Sequence, residues 1–279
     1  MENEYPIENT LKDVELFLKQ QVEIFGEQFF LPERNESQST PSTSGSATGA
    51  RGESAGQASN GGDQLKTKTI RIKDDRELFQ GAVVRPEWKI DPHWSESDSL
   101  EKLDSAISKC VRCGLGATRK NFVFGVGNPN AKLVLIGEAP GADEDDQGEP
   151  FVGRAGQLLN KILAAVELRR EDVYICNILK CRPPNNRDPL PEEAEACEPY
   201  LKKQLEIIKP KIILCLGRIA GQTLLKTNAT LTELRKSTYE YEGIKVLVTF
   251  HPAALLRNPN WKRPAWEDVQ KMRKMYDEL

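Results

Sequence analysis

The chain has 279 residues and a formal net charge of −3, which leaves room for one sizeable domain plus extensions. No apolar run reaches the length of a membrane span and Met1 is not followed by a signal peptide, so a cytoplasmic protein without membrane contact is expected. Residues 1–109 carry 13 Lys and Arg against 20 Asp and Glu, net −7, whereas residues 110–279 carry 26 against 22, net +4, so the second part is the candidate, on a weak signal, for meeting a polyanion.

In chain order, Leu11, Val14, Leu18, Val22 and Phe25 fall at helical spacing, so residues 1–33 are read as an amphipathic helical segment ended by Pro32. Residues 34–64 collapse to mostly Ser, Thr, Gly, Gln, Asn and Ala and predict a flexible, largely disordered linker. Residues 65–99 carry brief alternation around 69–72 and no assignable job. From residue 100 to 279 the pattern is dense. A helix is expected over 100–110, with Leu103, Ile107 and Cys110 on one face, and strands over 132–137, 173–179, 211–216 and 245–250. Helical patterns over 156–166, 191–208 and 219–225 lie between them. Strands alternating with helices predict an α/β fold, a three-layer αβα sandwich on a small four-stranded parallel sheet.

The six cysteines, in a reducing compartment, read as metal ligands or core residues rather than disulfides. Cys110-x2-Cys113 precedes the first strand, and Cys181 and Cys197 follow the second. Two such pairs allow a four-thiolate site for zinc or for an iron–sulfur cluster, which spacing does not separate. Cys176 and Cys215 sit in apolar strands and read as packing residues.

The remaining chemistry collects at strand ends, where ligands bind in open α/β sheets. The first strand opens into GEAPGADEDDQGEPFVGRAGQLL, with Glu138 at its tip and Phe151 further along. A carboxylate, a ring and exposed amides suit a flat polar ligand better than a triphosphate. The run Asp143, Glu144, Asp145, Asp146 reads as solvated acids or as caps of the following turn. Asn177 lies near the end of the second strand, where an amide offers a donor beside an acceptor, as the edge of a pyrimidine requires. His251 ends the fourth strand and is followed by Leu255, Leu256 and Arg257. These three fit either a capped helix start or an apolar wedge entering DNA beside a phosphate contact. Taken singly, each of these residues has an ordinary structural reading; His93, the other histidine, reads as a surface residue.

Together, GEAPGADEDDQGEPFVGRAGQLL, NILKCRPPNNR and HPAALLRNP closely resemble family 4 uracil-DNA glycosylases, from about Cys110 to the C-terminus. A family 5 member would lack the acid at Glu138. The branch that traps uracil covalently carries a basic, histidine-ended insert where this chain reads PPNNRDPLPEEAEAC. The resemblance implies a [4Fe–4S] cluster on Cys110, Cys113, Cys181 and Cys197, and excision of uracil from single- and double-stranded DNA by a monomer. It further implies that Phe151 stacks on the flipped base, Asn177 reads its edge and His251 stabilises the departing uracil. Glu138 would position water, Leu255 act as the wedge and Arg257 contact a phosphate. A repair or replication partner bound through the N-terminal helix is a further expectation. A non-hydrolytic binder of damaged DNA is the alternative, and the absence of GK[ST] and G-x-G-x-x-G loops argues against other nucleotide enzymes.

Overall fold

A computed structural model of the chain describes residues 90–279. The helical segment and linker expected over residues 1–64 lie outside the described residues, as does residue 65–89 of the connecting stretch. In chain order the strands are β1 (Val126–Gly127), β2 (Leu133–Gly137), β3 (Tyr174–Asn177), β4 (Ile212–Leu216), β5 (Tyr239–Tyr241) and β6 (Ile244–Thr249). They form one sheet in the order β1-β3-β2-β4-β6-β5. The four expected strands are its parallel centre, and two antiparallel edge strands extend it to six. Neither edge is readable as a strand of its own. β1 has only two residues, and β5 is held to β6 by a tight turn through Glu242 and Gly243, whose φ values of 49° and 82° match a two-residue hairpin.

The helices are α1 (Leu100–Ile107), α2 (Ala142–Gln147), α3 (Arg154–Ala164), α4 (Pro191–Ile208), α5 (Arg218–Leu225), α6 (Leu231–Leu234), α7 (Pro252–Arg257) and α8 (Lys262–Asp277). Ser99 caps α1 by accepting the Lys102 N–H, and Leu100, Leu103 and Ile107 form its buried stripe. On one face of the sheet, Val134, Ile136, Cys176, Ile213, Cys215 and Val248 share a core with residues of α1, α4 and α5. The alternate residues Leu133, Leu135, Ile175, Ile212, Leu214 and Leu247 are buried as well, with α8 lying against β4 and β6. Strands buried on both faces explain the nearly unbroken aliphatic runs. Each such side chain withdrawn from water contributes about 1.5–3 kcal/mol. The arrangement is the expected three-layer α/β fold. Cys176 and Cys215 are fully inside it, as packing residues.

β2 has β3 on one side and β4 on the other. The connections leaving β2 and β3 therefore run in opposite directions across the sheet, which opens a crevice at the carboxyl ends of the strands. Among the described residues no helix is long and apolar enough to cross a membrane.

Candidate active site

Gly137 and Asn177 are register partners at the ends of β2 and β3, and His251 stands just past β6 as the N-cap of α7. These ends converge on a cavity of about 330 Å³ lined by Glu138, Phe151, Asn177, His251 and Arg257 among others. That volume suits a ligand of nucleobase size. Bare backbone makes the convergence tight: a Cβ on Gly137 would lie 2.3 Å from Asn177 Oδ1 and 2.7 Å from Phe151 Cζ.

The acidic run does not simply lie in solvent. It forms α2, and two of its members turn inward. Glu144 accepts the N–H groups of Gly141 (3.1 Å), Val152 (3.0 Å) and Gly153 (3.0 Å), knitting the loop that carries Phe151. Asp145 is buried and accepts the Lys120 N–H at 2.9 Å. Glu144 also lines the cavity; the sequence signal for it is its place three residues after Gly141, at the start of a helix.

Phe151 adopts a left-handed backbone, φ 57°, a costly conformation for a bulky residue. Arg170 holds it there, donating to the carbonyls of Phe151 (3.1 Å) and Pro150 (2.8 Å) and to Glu149 (2.9 Å). The Phe151 ring stacks against His251 with centroids 5.4 Å apart.

Asn177 is buried, and its Oδ1 has no hydrogen-bond partner. In contrast, His251 Nδ1 accepts the Ala253 N–H at 3.1 Å. Nδ1 is therefore bare, and the neutral ring carries its proton on Nε2. Burial, reinforced by the charge of Arg257, pushes the His251 pKa down to about 4, so the ring is neutral at pH 7. Glu138 moves the other way. Burial first, then the Asp188 carboxylate, raise its pKa to about 7 against the pull of Arg218 and Arg257.

Leu255, expected as the wedge, lies inside the protein here. It is 1% exposed, whereas Leu256 is 41% exposed. Adjacent helical residues point about 100° apart, so α7 turns Leu255 into the core and Leu256 outward beside the exposed Arg257. The wedge expectation does not fit Leu255 in this conformation.

A further wall escaped sequence reading. Pro183, Asn186, Arg187 and Asp188 line the cavity from the segment between Cys181 and Cys197. Asn185 and Asn186 both have positive φ, 56° and 54°, and the Asn-Asn doublet is the signal for that turn. Arg187 grips Glu193 with two bonds of 2.8 and 2.6 Å, and Asp188 pairs with Arg218 at 3.1 Å.

Cys110, Cys181 and Cys197 are buried and Cys113 is half-buried. Cys110 lies near enough to Cys113, Cys181 and Cys197 to bear electrostatically on all three thiols, and Cys113 likewise bears on Cys181. Burial pushes the Cys181 and Cys197 thiols up to about 11 and about 12. The sulfurs sit among donors: Tyr200 Oη donates to Cys110 Sγ (3.2 Å), Arg119 Nη1 to Cys181 Sγ (3.3 Å) and the Lys180 N–H to Cys197 Sγ (3.3 Å). Among the described residues no three His, Cys, Asp or Glu side chains are arranged to hold a single metal ion.

Residues 124–270 match the family model of the uracil DNA glycosylase superfamily. The chain is 48% identical over 183 residues to a type-4 uracil-DNA glycosylase of Archaeoglobus fulgidus, an alignment covering 63% of this chain and 92% of that protein. It is 43% identical over 182 residues to a type-4 uracil-DNA glycosylase of Thermotoga maritima, covering 64% of this chain and 95% of the relative. A type-5 uracil-DNA glycosylase of Pyrobaculum aerophilum is more distant, at 32% over 146 residues, 46% of this chain and 64% of the relative. The matched stretch runs from just before β1 into α8 and carries the entire cavity, so fold, pocket and kinship agree: the chain belongs to the uracil DNA glycosylase superfamily.

Proposed function

We propose that this chain hydrolyses the N-glycosidic bond of deoxyuridine in single- and double-stranded DNA, leaving an abasic site, and that it holds the flipped base at the ends of β2, β3 and β6. The observation that carries this reading is the partnerless Oδ1 of Asn177. A buried carbonyl without a donor costs about 1–3 kcal/mol. Uracil returns a partner, since its N3–H donates to Oδ1 while its O4 accepts from the amide N–H. Cytosine presents the opposite pattern at both atoms and is refused. Replacing Asn177 with alanine is expected to slow uracil release roughly 100-fold, measured by alkaline cleavage of a uracil-containing oligonucleotide. An unchanged rate would remove Asn177 from the pocket, and tight binding without base release would favour the non-hydrolytic alternative.

Phe151 supplies the stacking surface for the base once it leaves the duplex, a step that costs a few kcal/mol. The neutral His251 donates Nε2–H to uracil O2 as negative charge gathers there. Breaking the bond leaves an oxocarbenium-like sugar; Glu138, as carboxylate, orients the attacking water and offsets that positive charge. Arg257, exposed at the mouth, contacts a phosphate, and Leu256 takes the wedge role from Leu255.

Glu138 must be ionised to act, so kcat/KM is expected to rise with pH through about 7 and to level above it. Glu138→Gln should flatten that limb and slow the reaction. The stability effect has the opposite sign. Folding raises this pKa from 4.5, so the folded state loses stability as pH climbs between 4.5 and about 7. Glu138→Gln is therefore expected to melt no lower than the native protein at pH 8. A further expectation is that Gly137→Ala, whose new methyl would press on both Asn177 and Phe151, slows uracil release by at least about 10-fold while the fold, followed by circular dichroism, persists.

The four thiols fit a [4Fe–4S] cluster held by Cys110, Cys113, Cys181 and Cys197. The choice of a cluster over zinc follows the type-4 relatives, since four thiolates serve either. Donors aimed at three of them suit thiolates. When bound, the cluster would cross-link the segment after α1, the segment after β3 and α4; the hydrolysis itself is redox-neutral.

A further inference from the structure

Lys180 is fully buried, at 0% exposure, although a methionine of similar volume would fill the same space without the cost of desolvating an ammonium. Its surroundings show what the charge does. The register of β1 with β3 pairs Val126 with Ile175, so two residues further on Phe124 would face Asn177. The ladder stops first: the Val123 N–H instead donates to the Lys180 carbonyl at 2.9 Å. Two carbonyls are left at this interruption, and side chains take both. Lys180 Nζ donates to Asn177 O (2.9 Å) and Gln204 Nε2 to Phe124 O (3.0 Å). The two side chains are joined by a 2.6 Å bond from Lys180 Nζ to Gln204 Oε1. They stand in for the missing strand.

Asn177 has particular need of this. Its Oδ1 is not anchored by any protein donor, so the amide can hold its place at the base edge only if the main chain that carries it is itself held. We propose that Lys180, braced by Gln204, is a positioning residue that fixes the Asn177 carbonyl and thereby points the amide at the base edge. The same residue connects that aim to the cysteine site, because its own N–H donates to Cys197 Sγ and Gln204 lies on α4 two turns beyond Cys197. The proposal rests on the reading that Asn177 recognises uracil.

A double-mutant cycle on the full chain tests it. Lys180→Met is expected to slow single-turnover uracil release about 10- to 100-fold and to weaken inhibition by free uracil to a similar extent. Affinity for abasic-site DNA and iron content should stay unchanged. In the Asn177→Ala background, Lys180→Met should add nothing, because the group it aims is gone. A full additional loss in that background, or a native rate in Lys180→Met alone, overturns the proposal. A native rate in Asn177→Ala alone would instead overturn the assignment of Asn177, so the two failures are distinct. If Lys180→Met does not fold, Gln204→Met enters the same cycle, removes the brace without touching a charge, and is judged by the same two outcomes.

Discussion

Replacing His251 with leucine is expected to slow single-turnover release of uracil by about 100- to 1,000-fold, the range seen when one donor to a developing oxyanion is removed. Leucine keeps an apolar side chain in the stack with Phe151, and DNA affinity should change little. In the proposed role, the loss would arise because Nε2–H is placed before the reaction begins and needs no reorganisation as charge reaches O2. His251 also caps α7 through Nδ1, and losing a cap costs about 0.5–2 kcal/mol of stability. His251→Asn separates the two effects, since asparagine is a good cap but presents no Nε2–H. It should recover melting temperature without recovering rate. With a pKa near 4, the native ring adds no inflection to kcat/KM around pH 6.5. An inflection there that disappeared in His251→Leu would show a charged imidazole in the free enzyme and defeat the neutral-donor reading.

The second large effect is expected at the cysteines. Purified protein should be brown and contain iron. Cys197→Ser should lose the colour, lower the melting temperature by at least about 10 °C and reduce uracil release more than about 100-fold. The reason is positional: Cys181 and Cys197 bracket the segment that supplies Pro183, Asn186, Arg187 and Asp188 to the cavity. Releasing either end frees one wall of the pocket and removes the Asp188 charge that helps to hold Glu138 near pH 7. The rising limb of kcat/KM should shift toward lower pH in any residual activity. A colourless, zinc-loaded, fully active native protein would remove the cluster, and native activity in Cys197→Ser would disconnect the site from the pocket.

The parallel centre of the sheet was legible in the sequence because each strand is buried on both faces and reads as an aliphatic run. The edge strands were not. Two residues cannot show alternation, and β5 is short enough to pass for part of a turn. At the site, Glu138, Phe151, Asn177, His251 and Arg257 were placed by their strand ends, and they do line one cavity. Glu144 and Asp145 were hidden inside a run of four acids, where the default is solvent; Glu144 alone carries a signal, its place three residues after Gly141, and for Asp145 only the tertiary contacts show that it turns inward. Leu255 and Leu256 could not be told apart because a six-residue helix gives too little periodicity to fix a face. Lys180 was invisible for a different reason. Lysine is almost never fully buried, so no sequence pattern singles it out.

The cavity wall at residues 182–190 leads from one buried cysteine into the first turn of a helix that carries another. With the proposed cluster bound, that span would be pinned at both ends and have no slack. Any inserted or deleted residue there must be absorbed by the wall itself, displacing Asn186 or Asp188, whereas length changes in surface turns far from the strand ends dissipate in solvent. Within this chain, the stretch from Cys181 to Cys197 would then behave as a ruler, its residue count mattering as much as its residue types.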